Sequence, residues 1–391
     1  MSRPLPLPPE MLDLIIDYLY DQPTALRACC LISKSWVPRS RMHLFACVEF
    51  TRTSIESWVK AFPHPPSSPT HYTRTLKIRG SWLFTVECPA VGRQIRAFPF
   101  HNLVHLIMGS KSGGSRVSLV PFYGLSPTIR SLRLQLDQVQ PSEVFGLVCS
   151  FPLLEDLTLT AFNFWGRVDG WALPSTSPRL TGSLWLHTAD GGTSNIMRRL
   201  LDLPNGPNFK KIELSCVDDE IGSTLTTDLV SRCSDTLESL DISDYHPCGF
   251  PSVLRMIDTL PLHSDRTMAP SFNLSTVTKL KHLVFQCEWP NVQWVTEALQ
   301  TVKSKNLRHI TVRPNPYVFT KLDHQQWHDL DHTLVQFWAS HSIRPKITYV
   351  VGKREDIRYY APSLLPELTG RGLADLVEYA EPGAAPASES V

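Results

Sequence analysis

The chain has no long hydrophobic run. Nothing in its 391 residues approaches the ~18 consecutive apolar residues of a membrane span, and the first nine residues hold four prolines where an export signal would carry an apolar core. This pattern predicts a cytoplasmic or nuclear protein with no membrane partner. Excess charge is equally scarce. Lys+Arg 38 against Asp+Glu 37 leaves a formal charge of +1, so no global field draws in nucleic acid, which is not expected as a partner. Nine cysteines stand at 29, 30, 47, 88, 149, 216, 233, 248 and 287, an odd number with no CxxC pair. That excludes a regular disulfide framework or a zinc knuckle and predicts reduced, mostly buried thiols. Asn273-Leu274-Ser275 has the form of a glycosylation acceptor, of no consequence without export.

Catalytic signatures are thin. There is no GxSxG elbow and no ordered Cys/His pair to mark a nucleophile. The segment GSKSGGS from Gly109 to Ser115 lacks the GxxxxGK[ST] order of a phosphate loop, and Asp218, Asp219 and Glu220 read as a solvated acidic loop. His324, His328 and His332 recur at one-turn intervals, interleaved with Asp323, Asp329 and Asp331, and such spacing could hold zinc. No glutamate fills the HExxH position, however, and Trp327 stands where a general base would be needed. A solvated helix face is expected, with no cofactor, no metal and no catalytic residue; a metal hydrolase centred on these histidines is the competing reading.

What is present begins at residues 7–44, LPPEMLDLIIDYLYDQPTALRACCLISKSWVPRSRMHL. Pro8 and Pro9 can open a helix, and Glu10 complements its positive end. Leu12, Ile15, Ile16 and Leu19 fall at i, i+3, i+4, i+7, with Asp13 and Asp17 off that stripe. Pro23 stops the helix, Thr24 can cap a second, and Ser33 a third containing Trp36. Three short helices cannot bury all their apolar faces on one another, so one side wants a partner.

This segment resembles the F-box. Leu7-Pro8-x-Glu10-Met11-Leu12 matches the opening LPxELL, Ile15-Ile16-x-Tyr18-Leu19 the IFxYL, and Leu31-Ile32-Ser33-Lys34-x-Trp36 the LVSKxW. The resemblance implies docking on the Skp-type adaptor of a cullin–RING (SCF-type) ubiquitin ligase. It places Leu7, Pro8, Ile15, Ile16, Leu19, Leu31, Ile32 and Trp36 at the adaptor contact or its packing support.

Beyond it, residues 42–50 alternate like a strand, 55–62 fit a short helix, and a Pro/Ser cluster at 64–69 reads as a joint. An apolar-x-x-apolar-x-apolar signature then recurs, at Leu103/Leu106/Met108, Ile129/Leu132/Leu134, Leu154/Leu157/Leu159, Phe209/Ile212/Leu214, Leu237/Leu240/Ile242, Leu280/Leu283/Phe285 and Leu307/Ile310/Val312. Weaker copies are Thr73/Leu76/Ile78 and Leu180/Leu184/Leu186. One copy means nothing, since at 42% apolar content about 7% of windows match. From 103 onward, however, five consecutive steps fall between 25 and 29 residues, followed by one of 43 and one of 27. Helix-compatible stretches lie between copies, at 141–149, 194–203, 225–233 and 292–302. Strand, turn, helix, turn is the implied unit.

The body resembles an irregular leucine-rich repeat, which implies an α/β solenoid with parallel strands on one face and helices on the other. An α/β sandwich would give a similar pattern. The long step predicts an insertion at 244–271; a helix is expected at 321–341, a last strand at 347–351 and terminal helices at 362–380. The expected divisions are 5–47 for the helical module, 48–72 for a connection, 73–380 for the repeat body and 381–391 for a disordered tail. Residues between ladder positions point outward. Arg130, Arg133, Glu155, Lys210, Lys211, Glu213, Glu238, Asp241, Lys281, His282, Arg308 and His309 are therefore the candidate contacts to a protein substrate. Together these readings predict a non-catalytic receptor that brings an unknown protein target to the ligase. The alternative is a leucine-rich-repeat scaffold without a ligase role.

Overall fold

The computed structural model describes residues 8–80, 89–109, 118–136, 139–160, 176–187, 192–215, 220–243, 272–287, 292–314, 324–341, 343–351 and 365–378. The chain forms two compact units, Met1–Arg179 and Leu180–Val391. The 381–391 tail and the 244–271 insertion lie outside the described residues.

The first unit opens with α1 (Pro9–Tyr18), α2 (Pro23–Ile32) and α3 (Val37–Leu44). Both prolines anticipated at the start of α1 hold their places, Pro8 as the cap and Pro9 as the first helical residue. The other two starts differ from expectation. Pro23 itself begins α2, so Thr24 lies inside it, and Trp36 sits just before α3. Ser33 instead turns the chain, its hydroxyl taking the Ser35 amide at 3.3 Å.

Strand β1 (Cys47–Phe50), helix α4 (Arg52–Ala61), β2 (Thr75–Arg79), α5 (Pro89–Ala97), β3 (His105–Gly109), β4 (Ser131–Gln135), α6 (Pro141–Cys149) and β5 (Asp156–Thr160) follow. Each of these strands pairs in parallel with the next. The sheet thus starts at Cys47, the last residue of the expected helical module, and runs on into the segment expected as a connection. The connecting segment is itself packed. Trp58 of α4 meets Phe45, Phe50 and Phe62 at ring distances of 5.8, 5.5 and 5.1 Å, and its indole N–H donates to Ser68 Oγ at 3.0 Å. The Pro/Ser cluster folds into two 3-10 turns, with Ser68, Pro69 and Thr70 buried.

The second unit runs β6 (Ser183–His187), α7 (Gly192–Leu201), β7 (Lys211–Ser215), α8 (Glu220–Arg232), β8 (Ser239–Ser243), β9 (His282–Cys287), α9 (Gln293–Thr301), β10 (His309–Pro314), α10 (His324–Ser340), β11 (Lys346–Val351), α11 (Pro366–Gly370) and β12 (Ala374–Glu378). Its strands too pair in parallel, each with the next in sequence. The 43-residue step causes no break, because β8 pairs directly with β9. The chain end corrects the expectation of terminal helices: α11 is one short turn, and β12 follows β11 as a further strand.

Register explains why the apolar signature was visible. Leu76, Leu106, Leu132 and Leu157 stand opposite one another, as do Ile78, Met108, Leu134 and Leu159. In the second unit Leu184, Ile212, Leu240, Leu283, Ile310 and Ile347 form one row, and Leu186, Leu214, Ile242, Phe285, Val312 and Tyr349 the other. All of these side chains are buried. Helix residues meet them from the same side, Trp294 edge-on to Phe285 at 5.4 Å and Trp327 edge-on to Tyr349 at 6.1 Å. Neither a strand nor a short amphipathic helix could bury that face alone, so each rung is stabilised mainly by its neighbours.

The rungs are joined by a repeated backbone device. In β2 to β5 the two amides that open the strand converge on a single carbonyl of the previous rung: Arg74 and Thr75 on Ala46, Val104 and His105 on Arg74, Arg130 and Ser131 on Val104, Glu155 and Asp156 on Arg130. The second unit repeats it from Gly182 through Lys210, Glu238 and Lys281 to His309. Hydroxyls reinforce these steps. Thr128 donates to the Leu103 carbonyl at 2.8 Å, Thr236 to Phe209 at 3.1 Å and Ser304 to Leu280 at 2.8 Å. At the far end, buried Asp331 of α10 accepts the Glu367 and Leu368 amides at 2.7 and 3.0 Å, which seats α11.

Candidate functional site

Two surfaces carry the side chains singled out in the sequence. The first is the helical module, where α1 and α2 both pack on α3. Ile16, Leu26 and Cys29 fill its interior, with Leu12 and Leu19 half-buried. A bidentate clasp ties α1 to α3: Arg39 Nε and Nη2 donate to Asp17 Oδ1 and Oδ2 at 2.6 and 2.5 Å, and His43 Nε2 lies 2.7 Å from Oδ1. Hydrogen bonds from Arg39, then from His43, hold the Asp17 carboxyl down to about 2. This role for Asp17 was not foreseen, because a lone acid off the apolar stripe reads as solvated.

The clasp leaves a second apolar stripe facing out. Met11, Leu14, Ile15 and Tyr18 follow the i, i+3, i+4, i+7 pattern one step round α1 from the buried one, and all are exposed, Tyr18 by 83%. Ile15 therefore belongs to the outer stripe and only Ile16 to the core. On α2, Leu31 is 89% and Ile32 64% exposed. Pro8 is exposed and Trp36 half-buried, while Leu7 lies outside the described residues. Met11, Leu14 and Tyr18 join the surface although the sequence reading passed over them. The signal was available, since a helix with apolar residues at 11, 12, 14, 15, 16, 18 and 19 carries more than one face can bury.

The second surface is the outward side of the strands. Several predicted contacts are spent on one another: Arg130 Nη1 pairs with Glu155 Oε1 at 2.7 Å, Lys281 Nζ with Glu238 Oε2 at 2.8 Å and Lys211 Nζ with Glu213 Oε2 at 3.5 Å. The Lys281 ammonium draws the Glu238 carboxyl below its ordinary value. Adjacent opposite charges therefore cancel, between neighbouring rungs for the first two pairs and along β7 for the third. Arg133, Lys210, Arg308 and His309 are exposed, and the His282 and His309 rings stack at 4.9 Å.

Asp241 departs from the expectation of an accessible contact, because it is buried on this face. Gln286 Nε2 donates to its Oδ1 at 3.1 Å, and Arg313 Nη1 is 3.9 Å from Oδ2. Burial pushes the carboxyl up to about 6, with Glu213 adding to the rise and Gln286 and Arg313 opposing it. Nearby, His187 Nδ1 makes a close hydrogen bond with Ser215 Oγ, and burial lowers the imidazole pKa.

The histidines of α10 stand on its solvent side, while Trp327, Leu330, Asp331 and Leu334 face inward. His332 contacts Gln336 Nε2 at 2.7 Å and Glu367 Oε1 at 3.5 Å. Among the described residues no three His, Cys, Asp or Glu side chains converge as a metal ligand set. Asp218, Asp219 and the segment 110–117 lie outside the described residues. Asn273 Oδ1 takes the Ser275 amide at 3.0 Å, so the would-be acceptor site closes a local turn. Among the described residues the cysteines form no disulfide, with Cys29, Cys233 and Cys287 buried and Cys47 exposed. No helix among the described residues is long and apolar enough to cross a membrane. No family model matches the chain, and no curated protein matches it.

Proposed function

We propose that this protein is a non-catalytic substrate receptor of a cullin–RING ubiquitin ligase. Its N-terminal helices act as an F-box that docks on a Skp-type adaptor, and its strand-and-helix body, an irregular leucine-rich-repeat solenoid, captures a protein target. The observation that carries the reading is the outer stripe of Met11, Leu14, Ile15 and Tyr18, with Leu31 and Ile32, on a module whose interior is already filled by Ile16, Leu26 and Cys29. A small module held shut by the Asp17–Arg39 clasp gains nothing for its own fold from so much exposed apolar surface. Such surface is the usual mark of a protein contact.

The test is direct binding to a purified Skp-type adaptor. Leu31→Glu with Ile32→Glu places two charges on side chains that contribute little to the fold, so thermal unfolding should not move while adaptor capture falls at least about 100-fold. Undiminished capture, or no capture by the unaltered chain, would leave the body as a scaffold without a ligase role.

A further inference from the structure

Charge on the outer face of the second unit is uneven along the strands. At the two positions that open β7 to β11 stand Lys210-Lys211, Glu238-Ser239, Lys281-His282, Arg308-His309 and, after Pro345, Lys346. Glu238 is the sole acid among them and is already bound to Lys281. Because the amide pairs of these strands step from one rung to the next, the side chains fall in one row across the strands, at a pitch of about 4.8 Å. The matching positions of the first unit, Arg74-Thr75, Val104-His105, Arg130-Ser131 and Glu155-Asp156, balance their signs instead. In a chain with a formal charge of only +1, the cationic row is a local placement.

Lys210, Lys211, Arg308 and His309 are exposed, and the stacked His282 and His309 rings give the row a flat centre. His282 is held below its ordinary pKa by partial burial first, then by the positive surroundings of His309, Lys281 and Arg308, against the opposing pull of Glu238. A negative guest would relieve that field.

From this row we infer that the second unit recognises an extended, carboxylate-rich protein segment lying across β7 to β11, its acids facing Lys210 and Arg308 and competing with Glu213 and Glu238 for Lys211 and Lys281. The inference rests on the reading of the strand face as the target-capturing surface and names the target's chemistry. An acidic peptide suits the row better than a nucleic acid, because Glu213 and Glu238 share the face and would repel a continuous phosphate backbone.

The probe is a fluorescein-labelled peptide of eight glutamates, titrated with the full chain and followed by anisotropy. Binding should weaken steeply as salt rises. In Lys210→Glu with Arg308→Glu, affinity should fall about ten-fold or more with thermal unfolding unchanged, and Leu31→Glu with Ile32→Glu should have no effect. A milder Lys210→Gln with Arg308→Gln pair should lose part of the affinity, which guards against a local distortion by the reversed charges. Equal binding of an eight-lysine peptide, or no loss in the reversed-charge variant, overturns the inference. So does tighter binding of an oligothymidylate of equal length, lost in the same variant. Peptide binding without adaptor capture would refute the ligase reading alone, and adaptor capture without peptide binding would refute this inference alone.

Discussion

Asp241→Asn should make the protein more stable at neutral pH and leave it unchanged in acid. Asp241 sits buried on β8, held by Gln286 at 3.1 Å with Arg313 no closer than 3.9 Å. Its carboxyl titrates near 6 in the folded protein, against an ordinary value of 3.8. The folded state therefore holds this proton more tightly than the unfolded chain does. That contribution to stability is complete below about pH 4 and is lost as the pH rises through about 6. At 1.36 kcal/mol per decade, the buried anion costs about 3 kcal/mol at pH 7.5. Asparagine keeps an oxygen for Gln286 and carries no charge, and it forgoes the weak attraction to Arg313. A gain of about 1–3 kcal/mol at pH 7.5 is expected, which for a unit of this size raises Tm by about 2–4 °C per kcal/mol. The assay is thermal unfolding of both proteins from pH 4 to pH 8. The gain should vanish near pH 4. A variant less stable at pH 7.5, or a difference that does not change with pH, would show that Arg313 and Lys211 fully compensate the anion.

Asp17→Asn should loosen α1 from α3 by about 1 kcal/mol, a figure reduced because the pair is about one-third exposed. Since the Asp17 carboxyl is depressed to about 2, the clasp is intact above about pH 4 and released as the pH falls toward 2; amide exchange in α1 would follow this. Leu283→Ala removes a fully buried rung between Leu240 and Ile310 and should cost about 2–5 kcal/mol, read as a fall in Tm.

The strand array was legible because burial repeats at fixed places. Leu132 and Leu134 sit on a rung for the same reason as Leu283 and Phe285, and a ladder needs apolar residues at each such position. Rungs escaped notice where the first position is not fully apolar or lies close to another motif. Phe45/Val48/Phe50 fits the signature yet was absorbed into the exit from the helices, and β11, expected only as a last strand at 347–351, has Arg344 where the signature's first apolar residue would stand. β12 has Ala374 and Leu376 opposite Ile347 and Tyr349, too weak a pattern to separate from a helix.

Side-chain pairing between distant residues was not legible at all. Asp17 finds Arg39 and His43, and Asp331 finds α11, through tertiary approach that no local pattern encodes. The burial of Asp241 is of the same kind, since alternation alone assigns every second strand residue to the solvent. For the candidate surface, Ile15, Leu31 and Ile32 were named from a linear motif. The outer stripe of Met11, Leu14 and Tyr18 needed the helix packing to tell which of two apolar faces is covered.

The convergence of two amides on one carbonyl at rung after rung, from β2 to β5 and from β7 to β10, has a consequence for how such a chain can change. Pitch is fixed by that handshake and by strand pairing, whatever length of polypeptide intervenes, as the excursion from β8 to β9 demonstrates. Segments between rungs are thus free to lengthen, shrink or be exchanged while the platform keeps its spacing, and new specificity can be grafted at such places without redesigning the support.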